Sequence, residues 1–103
     1  MTMQNTVSLG PLDYKIVSAT NPFLCSTQVG EHDMRPQLIT IDANISKQLR
    51  AASLVHEMLH SLSELYQFDL DERSVTLCAT ALCALIHDNP KVLDWLSREL
   101  KSA

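Results

Sequence analysis

Basic clusters, long apolar runs, internal repeats and metal-type cysteine spacings are all missing from this chain of 103 residues. Eight Lys and Arg against twelve Asp and Glu leave a formal net charge of −4. The basic residues are scattered, which argues against nucleic acid or an anionic membrane as the main partner. No stretch is long and apolar enough to span a bilayer. The segment from Met1 to Gly10 has neither the positive residues nor the apolar run of a secretory signal. The expectation is a soluble, cytoplasmic protein. Cys25, Cys78 and Cys83 match no zinc or redox pattern, and Cys78 and Cys83 stand five apart on a predicted helix, pointing to different faces. All three are expected to be buried thiols of a reducing compartment. A chain of this length makes a single domain, and its 46% hydrophobic content supports a small core.

The first third reads as strand. Tyr14-Lys15-Ile16-Val17-Ser18 alternates and carries β-branched residues between Gly10-Pro11 and Asn21-Pro22. Leu38-Ile39-Thr40-Ile41-Asp42 alternates again and makes a second strand. Between them the turn formers Asn21, Pro22, Gly30, Asp33 and Pro36 predict a connection, with a further short strand from Phe23 to Thr27. The expected sheet is small and antiparallel.

The remainder reads as helix. Residues 45–68 contain no Gly or Pro, and Leu49, Ala52, Val55, Met58 or Leu59, Leu62 and Leu65 recur with helical spacing. Asn44 or Ser46 caps this helix, which should end near Gln67. Asp69 opens a second, with Val75, Cys78 or Ala79, Leu82 and Leu85 or Ile86 as its buried stripe, stopped by Asp88-Asn89-Pro90. Asn89 as cap and Pro90 at the first helical position start a third, with Val92, Leu93, Leu96 and Leu100 turned inward. Trp95 and Leu96 are expected to pack internally, a dimer contact being the alternative. The fold class is therefore α+β: a small antiparallel sheet in the N-terminal half and three helices in the C-terminal half.

On the first long helix lies His56-Glu57-Met58-Leu59-His60, an H-E-x-x-H sequence. Imidazoles four residues apart on a helix share one face with Cβ atoms about 6 Å apart, close enough to hold one metal ion. The intervening glutamate stands beside that ion and can take a proton from water activated there. Taken singly, each histidine is an ordinary helix residue. As a pair on an apolar helix they leave buried polar groups without partners unless a metal binds. Glu57 is a salt-bridge residue without the metal and a general base with it.

A zinc site needs a third protein ligand. Glu64 is excluded, because ligands at i, i+4 and i+8 stretch over about 12 Å of helix and cannot close around one ion. Glu72 follows the Phe68-Asp69-Leu70-Asp71 reversal and falls in the first turn of the next helix, which can fold back beside His56 and His60. It also has a structural role open to it: Asp69-Leu70-Asp71-Glu72 is a capping-box pattern, in which Glu72 reaches back to the Asp69 backbone. Asp69 and Asp71 are fallback ligands. His32 and His87 are isolated and stand outside the site. Tyr14 and Tyr66 are candidate oxyanion-stabilising groups, with core packing as the plainer role.

His56-Glu57-x-x-His60 followed by Leu70-Asp71-Glu72-x-x-Val75-x-x-x-Ala79 resembles the ImmA/IrrE-type zinc metallopeptidases, also called minigluzincins, and in particular their very short phage and prophage versions. The resemblance covers residues 14–96. It implies a zincin-like order of strands, motif helix and second helix, with His56, His60 and Glu72 as ligands of Zn2+ and Glu57 as catalytic base. The chain departs from better-known members at Leu59, where they have Gly, and at Val75-Thr76, where they have Ala-Asn. Neither departure touches a ligand position. The expected function is a zinc-dependent peptidase acting on a protein or peptide substrate, which would lie extended along the Leu38–Ile41 strand as a sheet edge. The alternatives are a zinc-holding domain that acts as a protein-interaction module and a metal-free helical interaction domain. Substrate and oligomeric state are left open.

Overall fold

The computed structural model describes residues 6–20, 30–33 and 37–102. The expected strand from Phe23 to Thr27, and Cys25 with it, lie outside these residues. Four strands precede three helices: β1 (Thr6–Leu9), β2 (Leu12–Ala19), β3 (Gly30–Asp33), β4 (Leu38–Asp42), α1 (Lys47–Tyr66), α2 (Glu72–Asp88) and α3 (Pro90–Ser102).

The sheet order is β1-β2-β4-β3. β1 pairs antiparallel with β2, and β3 antiparallel with β4, but β2 and β4 run parallel, with Ile16 opposite Ile39. The sheet is thus mixed rather than antiparallel. β3 intervenes between β2 and β4 in the chain and takes the far side of β4, which leaves β2 and β4 side by side and running in the same direction. β4 is consequently an interior strand. Among the described residues the sheet's edges are β1 and β3.

The β1–β2 hairpin closes on Gly10-Pro11, with Leu9 paired to Leu12. Gly10 has φ +61°. A two-residue loop with positive φ at its first position and proline at its second fits a type II′ turn, since Pro cannot take the second positive φ of type I′. A Cβ at Gly10 would also collide with the Tyr66 hydroxyl and lie 2.9 Å from Leu65 Cδ2, so the turn packs tightly against the end of α1.

Alternation along the strands sends one set of side chains to the helical side. Leu9, Tyr14, Ile39 and Ile41 form the buried cluster, and Val7, Leu12, Ile45, Leu54, Met58 and Leu62 pack against it. Leu54, Met58 and Leu62 stand at i, i+4 and i+8, the row by which α1 lies across the sheet. Leu49, assigned to the buried stripe by periodicity, is 44% exposed.

The ends of α1 are set by local chemistry. Ser46 caps it, its hydroxyl accepting from the Leu49 backbone N–H at 3.1 Å. Gln67 closes it in the left-handed region at φ 56°. Helix α2 then folds back against α1 and buries Val75 and Ala79. Its cap is Asp71 rather than the expected Asp69: the Asp71 carboxylate accepts from the Ser74 backbone N–H at 2.7 Å. Cys78 is exposed and Cys83 half-buried, so neither is the buried thiol expected. α3 starts at Pro90 as read, with the Leu93 N–H donating to the Asn89 carbonyl at 3.1 Å. Of the apolar side chains expected to turn inward, only Leu93 is half-buried. Val92, Trp95, Leu96 and Leu100 are all exposed, because among the described elements only α2 touches α3. Among the described residues, no helix is long and apolar enough to cross a membrane.

Candidate metal centre

Helical geometry puts His56 and His60 one turn apart on the side of α1 that faces away from the Leu54–Met58–Leu62 row. Their Nε2 atoms are 3.2 Å apart and their rings meet edge to face. The α1–α2 reversal brings Glu72, the first residue of α2, directly over the pair. Glu72 Oε1 lies 2.7 Å from His56 Nε2, and Glu72 Oε2 lies 2.8 Å from His60 Nε2. One carboxylate therefore spans both imidazoles. A negative side chain is also favoured at this position by the positive end of the α2 dipole.

The capping-box role for Glu72 does not materialise, because Asp71 is the cap and Glu72 is already inside the helix. The Ser74 backbone N–H, and after it the Ser74 hydroxyl, hold the Asp71 carboxyl below the usual carboxylate range. Asp71 is thereby engaged at the helix end, and Asp69 is exposed. Of the three acidic candidates in this loop, Glu72 is the one brought to the histidines.

Glu57 points between the sheet side and the histidine side of α1 and is buried, at 7% exposure. Ligand atoms of His56, Glu57 and His60 lie within 4.8 Å of one another. The close neighbours of Glu57 include β3. A Cβ on Gly30 would collide with Ser53 Oγ and come 3.2 Å from Glu57 Cγ, so the strand passes directly over this part of α1. The carbonyl of Glu57 accepts from the Ser61 hydroxyl at 3.0 Å, satisfying a buried polar side chain on the helix itself.

These residues open into a cleft of about 440 Å3 lined on one side by Leu49, Ala52 and Ser53 of α1 and on the other by Thr76, Ala79 and Thr80 of α2, with Gly30 at its end. The Thr76 and Thr80 hydroxyls donate back to the carbonyls of Glu72 and Thr76, each at 2.9 Å. Small residues on both walls are what keep the space beside the histidines open. Gly30 was legible in the sequence only as a turn former. That it is one of just two glycines was the available signal.

The donor set can be tested against a metal. Ligands about 2.0–2.2 Å from a tetrahedral ion sit about 3.3–3.5 Å from one another. The 3.2 Å between the imidazole nitrogens fits that spacing. The carboxylate oxygens lie closer, at hydrogen-bond length, and would withdraw by about half an ångström to meet it. The Glu72 side chain is 70% exposed and has room to do so. Without an ion, both Nε2–H groups would donate to Glu72, leaving two like-polarised N–H bonds side by side at 3.2 Å. A cation between them removes that conflict. The residues present fit a divalent ion.

The other candidates fall elsewhere. Glu64 is exposed. His87 is exposed and pairs with Asp88 at 2.9 Å. His32 lies in β3. Tyr14 is a core residue, and Tyr66 is exposed at the end of α1 beside Gly10; neither lines the cleft. No protein-family model, characterised protein or solved structure matches the chain.

Proposed function

We propose that the protein is a zinc-dependent peptidase of gluzincin type, a short minigluzincin of the phage or prophage kind, acting in the cytoplasm on a protein or peptide substrate. The observation that carries this reading is the Glu72 carboxylate in contact with both imidazoles of an H-E-x-x-H helix, beside a buried glutamate and an open cleft. His56, His60 and Glu72 would hold the ion, and two nitrogens with one carboxylate are a donor set characteristic of catalytic zinc. Glu72 takes the ligand role because one of its oxygens lies against each imidazole, at 2.7 Å from His56 Nε2 and 2.8 Å from His60 Nε2. When bound, zinc supplies Lewis-acid polarisation of a carbonyl and of water.

The chain's own residues then account for the proton. Glu57, held between α1 and β3, accepts it from the attacking water and returns it to the leaving amine. A substrate can reach this point in extended form. The edge beside the cleft is β3, whose Gly30 lines it, rather than the interior strand β4. An extended peptide adding to β3 would bring its backbone past Glu57.

The openness of the site favours one alternative, in which the same domain holds zinc but acts as a protein-interaction module. Glu57→Gln separates the two readings. A peptidase keeps its zinc and loses cleavage, with kcat down by about a thousandfold or more. If the variant retains both zinc and the full biological effect, the interaction module is correct.

A further inference from the structure

Helix α3 carries an apolar surface that the rest of the described fold leaves open. Val92, Leu96 and Leu100 stand at i, i+4 and i+8, with exposures of 53%, 41% and 73%. Alongside them runs a second row with the same spacing: Lys91, Trp95 and Glu99. Trp95 is 52% exposed. An isolated helix of 13 residues is marginal in water, so α3 needs its apolar face covered to persist. Leu85 and Ile86, in the last turn of α2, are also about half exposed and extend the apolar surface toward α3.

We propose that this face pairs with a second copy of the chain, the two α3 helices running antiparallel about a two-fold axis that passes between Trp95 and Leu96. Two observations favour a second copy over other occupants. The first is symmetry of the rows. In an antiparallel pair, Val92 faces Leu100 of the second copy and Leu96 faces its own equivalent. On the flank, Trp95 meets Trp95 of the second copy while Lys91 meets Glu99 and Glu99 meets Lys91. The flanking charges are thus self-complementary, as an isologous interface requires. A parallel pair would set Lys91 against Lys91 and Glu99 against Glu99. The second is area. The half-exposed side chains of α3 with Leu85 and Ile86 present about 600 Å2 per copy, so pairing buries about 1,200 Å2 in total, where specific interfaces begin. The remaining charges of α3, Asp94 paired to Arg98 at 3.3 Å with Lys101 beyond, make no basic face for an anionic membrane.

Sedimentation equilibrium of the full chain across the micromolar range tests this. The expected mass is twice 11.5 kDa at high concentration, with Trp95, the only tryptophan, shifting its emission to the blue as the dimer forms. Leu96→Asp should give a monomer with unchanged zinc binding and a helix content lowered by no more than the 13 residues of α3. Lys91→Glu should weaken association by about tenfold, since one reversal creates two like-charge contacts across the axis. The double reversal Lys91→Glu with Glu99→Lys should restore it. A monomer at every concentration, a dimer indifferent to Leu96→Asp, a double reversal no better than the single, or binding of α3 to vesicles in place of self-association would each overturn the proposal.

Discussion

Helices α1 and α3 carry apolar rows of the same i, i+4, i+8 spacing and meet opposite surroundings. Leu54, Met58 and Leu62 of α1 pack on a sheet whose Ile39 and Ile41 are fully buried. Val92, Leu96 and Leu100 of α3 face outward. Periodicity identifies which side of a helix is apolar, and says nothing about whether the chain supplies a surface to cover it. For α1 the cover exists because four strands present one alternating face. For α3 it does not, because the preceding helix is the only described neighbour.

The widest separation between these regions should appear in truncations. Ile39→Ala, beneath α1, is expected to cost about 3 kcal/mol in chemical denaturation, through lost burial and the cavity left behind. Leu100→Ala, measured at concentrations low enough to keep the chain monomeric, should fall within about 0.5 kcal/mol of zero. Comparable losses at the two sites would mean that α3 is packed into the core after all.

A smaller effect sharpens the role of β3 in holding α1. Gly30→Ala places a methyl group against Ser53 and Glu57, and should cost about 1–3 kcal/mol while displacing the Glu57 side chain. Zinc affinity should change less than cleavage. An alanine tolerated without loss would show that the strand does not bear on the helix as described. The smallest effect is at the start of α1, where Ser46→Ala removes the hydroxyl that accepts from Leu49 and should cost about 1 kcal/mol, read as a lowered denaturation midpoint.

Much of the motif helix was legible in the sequence, and for physical reasons. Ser46 supplies a capping oxygen, 20 residues follow without Gly or Pro, and the turn at Gln67 comes where the pattern ends. Strand β4 and the middle of β2 were legible from alternation of Ile, Val and Thr with polar residues. The place of Glu72 beside the histidines was legible because a short reversal after a helix can return the next helix alongside it. Less local features were not. β1 is four residues with two hydroxyl side chains and gives little periodic signal. The parallel pairing of β2 with β4 depends on where β3 goes, which no local pattern encodes. The move of the α2 cap from Asp69 to Asp71 reflects two equally suitable side chains two residues apart, decided by the path of the backbone into Glu72. Gly30 acquires its meaning only when Ser53 and Glu57 are seen beneath it.

The amphipathic pattern of α3 does not by itself require an intrachain partner, and beyond the half-buried Leu93 it has none among the described elements. Trp95 and Leu96 instead lie on the open side of the helix. The same residues, read as a self-complementary surface, account for why the pattern is there.

His56, His60 and Glu72 are proposed to form a single metal site. Zinc titration of metal-stripped protein by calorimetry, with the Glu72→Ala variant run in parallel, tests it most directly. One zinc per chain is expected, with affinity falling by about a hundredfold or more when the Glu72 carboxylate is removed. Absence of stoichiometric binding, or an affinity unchanged in Glu72→Ala, would contradict it.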